Sequence, residues 1–202
     1  VTYYSLLTQM RVNGGNDYIN LVNSILSGKC NQQACLENYD FKVMSDFNRF
    51  NNLQQKLEDE FTLSRMIAGY AWEWKSKKDK SLYDMELDGV KKQWNYRLEN
   101  WVLSEGADKQ VGCIHTIQGF DLNYGFVIMG NEIGYDPESK EIIVRPENYY
   151  DQNGRKTASK EELLEYIKHI YYVLMTRGIK GTYLYICDDN LRKYVSSIIG
   201  EI

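Results

Sequence analysis

The sequence predicts an α/β fold in which a mainly parallel sheet carries helices on both faces. Three observations carry this reading. Five apolar runs of strand length recur along the chain, and they are continuous rather than alternating, as strands covered on both faces read. Amphipathic helical patterns lie between or beside them, the alternation that builds layered sheets. Finally, 202 residues with 43% hydrophobic content, only two prolines and no low-complexity linker describe a single domain, residues 1–202, with one full core.

The elements follow in order. "GNDYINLVNSILSG" places Tyr18, Val22 and Ile25 at helical spacing and stops at Gly28. "YDFKVM" (39–44) is the first strand-like run. "SDFNRFNNLQQKLEDEF" has Ser45 as candidate cap and an apolar stripe of Phe47, Phe50, Leu53 and Leu57. "SRMIAGYAW" (64–72), "VGCIHTI" (111–117) and "YGFVIMG" (124–130) are further strands. "SKEELLEYIKHIYYVLMTRG" is the clearest helix, with a capping box of Ser159 and Glu162 and a stop at Gly178. "TYLYICD" (182–188) is the last strand, and "DDNLRKYVSSII" a closing helix capped by Asp188 or Asp189. Residues 73–100 and 136–158 break the alternation and read as surface insertions.

The formal charge of −4 provides no global basic field, so any nucleic-acid contact has to be local. Cys30, Cys35, Cys113 and Cys187 lack paired C-x-x-C spacing, and His115 and His169 supply no partner spacing, so no metal site is expected. Unpaired thiols fit a reduced, cytoplasmic compartment. No run of eighteen apolar residues and no signal-peptide pattern occurs, so no membrane partner is expected.

In such sheets ligands collect at the carboxyl ends of strands. After "VGCIHTI" come Gln118, Gly119, Phe120 and Asp121. The glycine allows close backbone approach, the glutamine is both donor and acceptor, and the aspartate can accept from a sugar hydroxyl; on spacing alone a plain polar turn, with Gly119 present for a positive φ, is the simpler account. His115 and Thr116 are strand-end residues open to the same two readings. Arg177 ends a helix inside an apolar region. A cation there complements the helix dipole, but a lysine would serve, whereas arginine adds a rigid fork suited to phosphate, and Gly178 permits backbone approach. Gln9 and Arg11 precede a Gly-Gly turn that opens a helix, where Arg11 can bind an anion or pair with an acid such as Asp17.

These segments, in this order, resemble the second RecA-like domain of superfamily 1 helicases, most closely the Schlafen-related DNA/RNA helicase family of prokaryotic proteins. "LLTQMRVNGGNDYI" looks like motif IV with its Q-x-R, "SRMIAGYAWEWKS" like the R-x-x-A-G-x-x-W-x-W strand, "VGCIHTIQGFDLNYGFVIMG" like motif V, and "IYYVLMTRGIKGTYLYICD" like motif VI. The matches span residues 4 to 188. The resemblance implies a three-layer RecA-like fold of P-loop NTPase type. It further implies that Arg177 acts as an arginine finger on the γ-phosphate of ATP and that Arg11 is a second γ-phosphate ligand. Gln9, Gln118, Gly119 and Gly178 would lie by the nucleotide, and Asp121 takes the place of the acid, often glutamate, that holds the ribose. Thr116 and His115 would approach nucleic-acid backbone.

The sequence contains no G-x-x-x-x-G-K-[ST] phosphate loop, and the paired acids after the last apolar strand, Asp188 and Asp189, are read as a helix cap rather than as the pair that would hold Mg²⁺. Both belong to a first RecA-like domain, which the apolar start at Val1 leads us to expect upstream. ATP and Mg²⁺ would be bound mainly there, and the fragment alone would not hydrolyse ATP. Single-stranded or duplex DNA or RNA is the other expected partner; Trp72, Trp74, Trp94, Trp101 and the lysines of "KSKKDK" (75–80) are candidate contacts, or else core residues and a solvated loop. Two functions stay open: the C-terminal motor domain of a nucleic-acid-dependent ATPase, or a non-catalytic RecA-like module that binds nucleic acid or protein. A nuclease or other hydrolase finds no support in clustered acids.

Overall fold

The computed structural model of the protein describes residues 11–97, 99–151 and 158–202. Gln9 and the rest of the first ten residues, with part of the 136–158 stretch, lie outside the described residues. The centre is a five-stranded, all-parallel sheet in a RecA-like α/β arrangement. In chain order its members are β1 (Asp40–Val43), β2 (Ser64–Ala68), β5 (Val111–Gly112), β6 (Leu122–Met129) and β9 (Gly178–Ile186), and in space the order is β1-β9-β6-β2-β5. Two antiparallel hairpins, β3 (Met85–Leu87) with β4 (Val90–Lys92) and β7 (Ile133–Asp136) with β8 (Glu141–Val144), lie outside it.

Successive strand residues serve opposite faces. Phe126 and Ile128 of β6, with Tyr183 and Tyr185 of β9, pack with Phe47, Phe50 and Leu57 of α2 (Phe47–Phe61). Val127 and Met129, with Leu184 and Ile186, face the stripes of α1 (Gly15–Leu26), α3 (Lys160–Met175) and α4 (Asp189–Ile199). Helices therefore cover both faces, which is why the strands read as unbroken apolar runs.

Helix ends follow side-chain chemistry. The capping box of α3 forms as expected, Glu162 N–H donating to Ser159 Oγ while Ser159 N–H donates to the Glu162 carboxylate. Asp188, not Asp189, caps α4 by accepting from Leu191 N–H at 2.7 Å. The α2 cap is Asp46 rather than Ser45, its carboxylate accepting from Arg49 N–H at 3.0 Å.

The expected strand over 111–117 stops at Gly112. Thr116 Oγ accepts from Cys113 N–H at 2.8 Å and donates to Cys113 O at 3.0 Å, so the chain curls into turns. The last strand starts four residues earlier than its apolar run, at Gly178, directly against Arg177. The expected surface insertion near 136–158 begins as the β7–β8 hairpin, whose Ile133, Ile142 and Val144 are buried in the main core rather than laid over it. In the first insertion, Asp88 and Gly89 both have positive φ and join β3 to β4 by a two-residue turn of the kind hairpins favour.

Candidate nucleotide-contact site

The site is built from the junction between α3 and β9 upward. The last turn of α3 closes as Thr176 Oγ donates to Tyr172 O at 2.9 Å. Arg177 N–H then donates to Leu174 O at 3.3 Å, and Arg177 O accepts from Leu122 N–H at 2.9 Å, tying the arginine to the first residue of β6. Between Leu122 and Tyr124 the β6–β9 register shifts, with Gly178 and Gly181 as partners; the bulge turns the start of β9. A Cβ on Gly178 would stand 2.1 Å from Gly181 O and 3.0 Å from Gly125 N. The close approach that this glycine permits is therefore to its own chain.

Three residues that sequence reasoning treated as packing fix this backbone. Tyr18 Oη of α1 donates to Met175 O at 2.7 Å, Tyr39 Oη donates to Gly178 O at 2.9 Å, and Thr182 Oγ donates to Met175 O at 3.0 Å, 2.8 Å from Tyr39 Oη. Burial pushes the Tyr39 hydroxyl up to about 12 and Tyr18 well above its ordinary value, so both are neutral hydrogen-bonding groups. In a sequence with seventeen tyrosines, nothing marked these two out.

Arg11 and Asp121 meet here. Arg11 Nε lies 2.7 Å from Asp121 Oδ1, the pair being 43% and 44% exposed. The Arg177 guanidinium is half-buried, and its Nε is enclosed without a hydrogen-bond partner among the described residues. Its pKa is lowered first by burial and then by the positive charge of Arg11, with Asp121 opposing. A guanidinium stays charged in any protein environment, so Arg177 carries its charge half-buried and beside a second cation. Asp121 is ion-paired with Arg11 and acts on Arg177 only through its charge.

The other sequence candidates divide. Gln118 and Gly119 are exposed on the turn leading to Asp121, and Gly119 adopts φ +84° with open space around it, so its glycine serves the turn. Thr116 is buried with its hydroxyl engaged by Cys113, and exposed His115 lies edge-on to Tyr70, just past β2, with 6.3 Å between ring centroids. The arginine cluster thus gathers at the amino ends of β6 and β9. The carboxyl-end rule drew attention to residues 118–121, but that turn carries the chain from the end of β5 back to the opposite edge of the sheet, so Asp121 stands at the amino end of β6. A cavity of about 620 Å³ between the start of α1 and residues 33–38 has Asp17 and Glu37 in its lining, a poor setting for a triphosphate. Among the described residues no group of three or more His, Cys, Asp and Glu side chains could hold a metal ion.

At the carboxyl edge sits a polar group the sequence did not signal. Glu132 is fully buried, accepts from Tyr171 Oη, and leaves Oε2 unpartnered among the described residues. It is wedged against Gly69 and Gly130, where any Cβ would collide with its carboxylate. Burial raises its pKa to about 7.

The family described as "Schlafen group 3, DNA/RNA helicase domain" matches residues 1–188. The uncharacterized protein YPL245W of Saccharomyces cerevisiae is 31% identical over 215 residues, which cover 95% of this chain and 47% of that protein. The chain thus spans about half the length of this relative. No solved structure matches. Among the described residues no helix is long and apolar enough to cross a membrane.

Proposed function

This chain belongs to the Schlafen group 3 DNA/RNA helicase-domain family, and we propose on that basis that it is the second motor half of a nucleic-acid-dependent ATPase. In this reading Arg177 is an arginine finger and Arg11 a second ligand to the γ-phosphate of ATP. The phosphate loop and the magnesium-binding acids, which this sequence lacks, lie on a first RecA-like domain of the same protein.

The observation that carries the proposal is the half-buried Arg177 guanidinium, with an unpartnered Nε, beside the Arg11–Asp121 pair. Phosphoryl transfer asks the protein for little covalent chemistry. Catalysis comes from positioning and from charge placed where negative charge develops on the transferred group. Anchored by Leu122, Tyr39 and Tyr18, the α3–β9 junction presents Arg177 with its backbone already fixed. Asp121 holds Arg11 while the site is open, and the incoming phosphoryl oxygens replace that carboxylate or share the arginine with it. The ribose contact that the resemblance implies for Asp121 competes with this ion pair.

The test is a double-mutant cycle in the full-length protein, measuring ATP turnover with single-stranded nucleic acid for Arg11→Ala, Arg177→Ala and the double variant. Two arginines acting on one phosphoryl group give non-additive losses. Additive small losses from both would instead favour a non-catalytic module whose arginines hold an anion without turnover.

A further inference from the structure

We infer that Tyr18 and Tyr39 are positioning residues for Arg177, their hydroxyls holding the backbone on both sides of it in the geometry that ATP turnover requires, and that the same contacts keep the Arg11 segment in register with it. The inference rests on the motor reading and adds to it two buried residues that act only through the arginines.

The chain passes from α3 into β9 with only Thr176 and Arg177 between them, and carbonyls on both sides of Arg177 need donors. Met175 O belongs to the last residue of α3 and is one of the helix's terminal acceptors. Gly178 opens β9, but the pairing of β1 with β9 begins only at Asp40 and Gly181, so the edge beside Gly178 is left to the residue before β1. That residue is Tyr39, whose Oη donates to Gly178 O at 2.9 Å and lies 2.8 Å from Thr182 Oγ. Met175 O accepts from Tyr18 Oη at 2.7 Å and stands 3.0 Å from Thr182 Oγ. Tyr18 and Thr182 are fully buried and Tyr39 is 5% exposed. Three hydroxyl protons serve these four contacts. Tyr18 gives its proton to Met175 O and Tyr39 gives its own to Gly178 O, so Thr182 can donate to either Met175 O or Tyr39 Oη.

A helix end is ordinarily capped locally, by a glycine turn or by the next few amides. Here the tyrosine donors come from 157 and 139 positions away. They arrive as a packed pair, with ring centroids 4.1 Å apart. A Cβ on Gly14, at the head of α1, would stand 2.6 Å from Tyr18 Cβ and 3.2 Å from Tyr39 Cβ, so the turn that follows Arg11 is fitted closely over both. Asn13 N–H donates to Ile179 O at 2.9 Å, which ties the same turn to β9 two residues past Arg177. The segments that carry the two arginines therefore share one buried support.

Phosphoryl transfer depends on where charge is placed, and a small displacement of a catalytic group lowers the rate steeply. In the motor reading most contacts to ATP belong to the first domain, so a shifted Arg177 slows turnover and leaves nucleotide affinity nearly unchanged. Phenylalanine keeps each ring and removes only the hydroxyl, which releases the carbonyl that it held.

The experiment measures kcat and KM for ATP in the full-length protein with saturating oligothymidylate or oligouridylate, well below the melting temperature of every variant. It compares wild type, Tyr18→Phe, Tyr39→Phe and the double variant, each also in the Arg177→Ala background. Leu57→Ala, in the core on the other face of the sheet, serves as a destabilised control. We expect Tyr39→Phe to lower kcat about tenfold and the double variant about 10²-fold, with KM within about twofold of wild type. Neither substitution should lower kcat further once Arg177 is alanine, and Leu57→Ala should keep wild-type kcat despite its lower melting temperature. The single variants decide the question even where the double variant does not fold. Wild-type kcat in both, with Arg177→Ala inactive, would overturn the positioning role and leave the motor reading intact. An equal fall of kcat in Leu57→Ala would overturn it in favour of a general loss of stability. The motor reading fails separately, if Arg177→Ala retains full ATP turnover.

Discussion

Asp121 holds Arg11 at 2.7 Å, although 110 positions separate the two in the chain, and the next residue, Leu122, holds the Arg177 carbonyl through its amide. One turn therefore sets the positions of both arginines. Removing the carboxylate alone should do little to the fold, because a pair this exposed is worth at most about 1 kcal/mol. Asp121→Asn is expected to lower stability by about that amount at low salt and by less at high salt, read from thermal melts. It should also raise affinity for an anion such as pyrophosphate, read by calorimetry.

Gly178 and Gly119 are required for different reasons, and substitution separates them. Gly178→Ala puts a Cβ against the Gly181 carbonyl within the bulge, which should cost about 1–3 kcal/mol as overpacking and displace Arg177. Gly119→Ala meets no atom within 4 Å and should cost only the strain of positive φ, roughly 1–2 kcal/mol. Urea unfolding of the two variants gives both values.

Glu132 makes stability depend on pH. Its folded-state pKa is raised by burial from the ordinary carboxylate range to about 7, so the folded protein holds a proton that the unfolded chain releases. That contribution is fully present below the unfolded pKa and is lost as pH rises toward and through 7. The total over this window is up to about 3 kcal/mol at 1.36 kcal/mol per unit. Glu132→Gln keeps an acceptor for Tyr171 and removes the ionisation, so its melting temperature should fall less than that of wild type between mildly acidic and neutral pH.

Most of the fold was legible because it rests on local signals. Ser159 and Glu162 announce the start of α3, and the apolar runs of β1, β2, β6 and β9 announce strands buried on both faces. Strand 111–117 was overread because Cys113 and Ile117 are apolar for packing within turns, and apolarity alone does not separate a strand from a buried turn. Arg177 and Arg11 were visible as residue types at unusual places. Their convergence with Asp121 was not, since it depends on β6 and β9 lying side by side and on the α1 segment being tied to β9 through Asn13 N–H and Ile179 O. The roles of Tyr18 and Tyr39 were hidden for the same reason, because the carbonyls that they bind come from elsewhere in the chain. Glu132, in "GNEIG", has the composition of an ordinary turn and becomes unusual only when Gly69, Gly130 and Tyr171 close around it.

The most direct test of the account is steady-state ATP turnover by the full-length protein, with saturating single-stranded nucleic acid, for wild type against Arg177→Ala, with nucleotide affinity measured in parallel. The account predicts that the variant still binds ATP but loses turnover by about 10³-fold or more. Unchanged turnover in Arg177→Ala would contradict it.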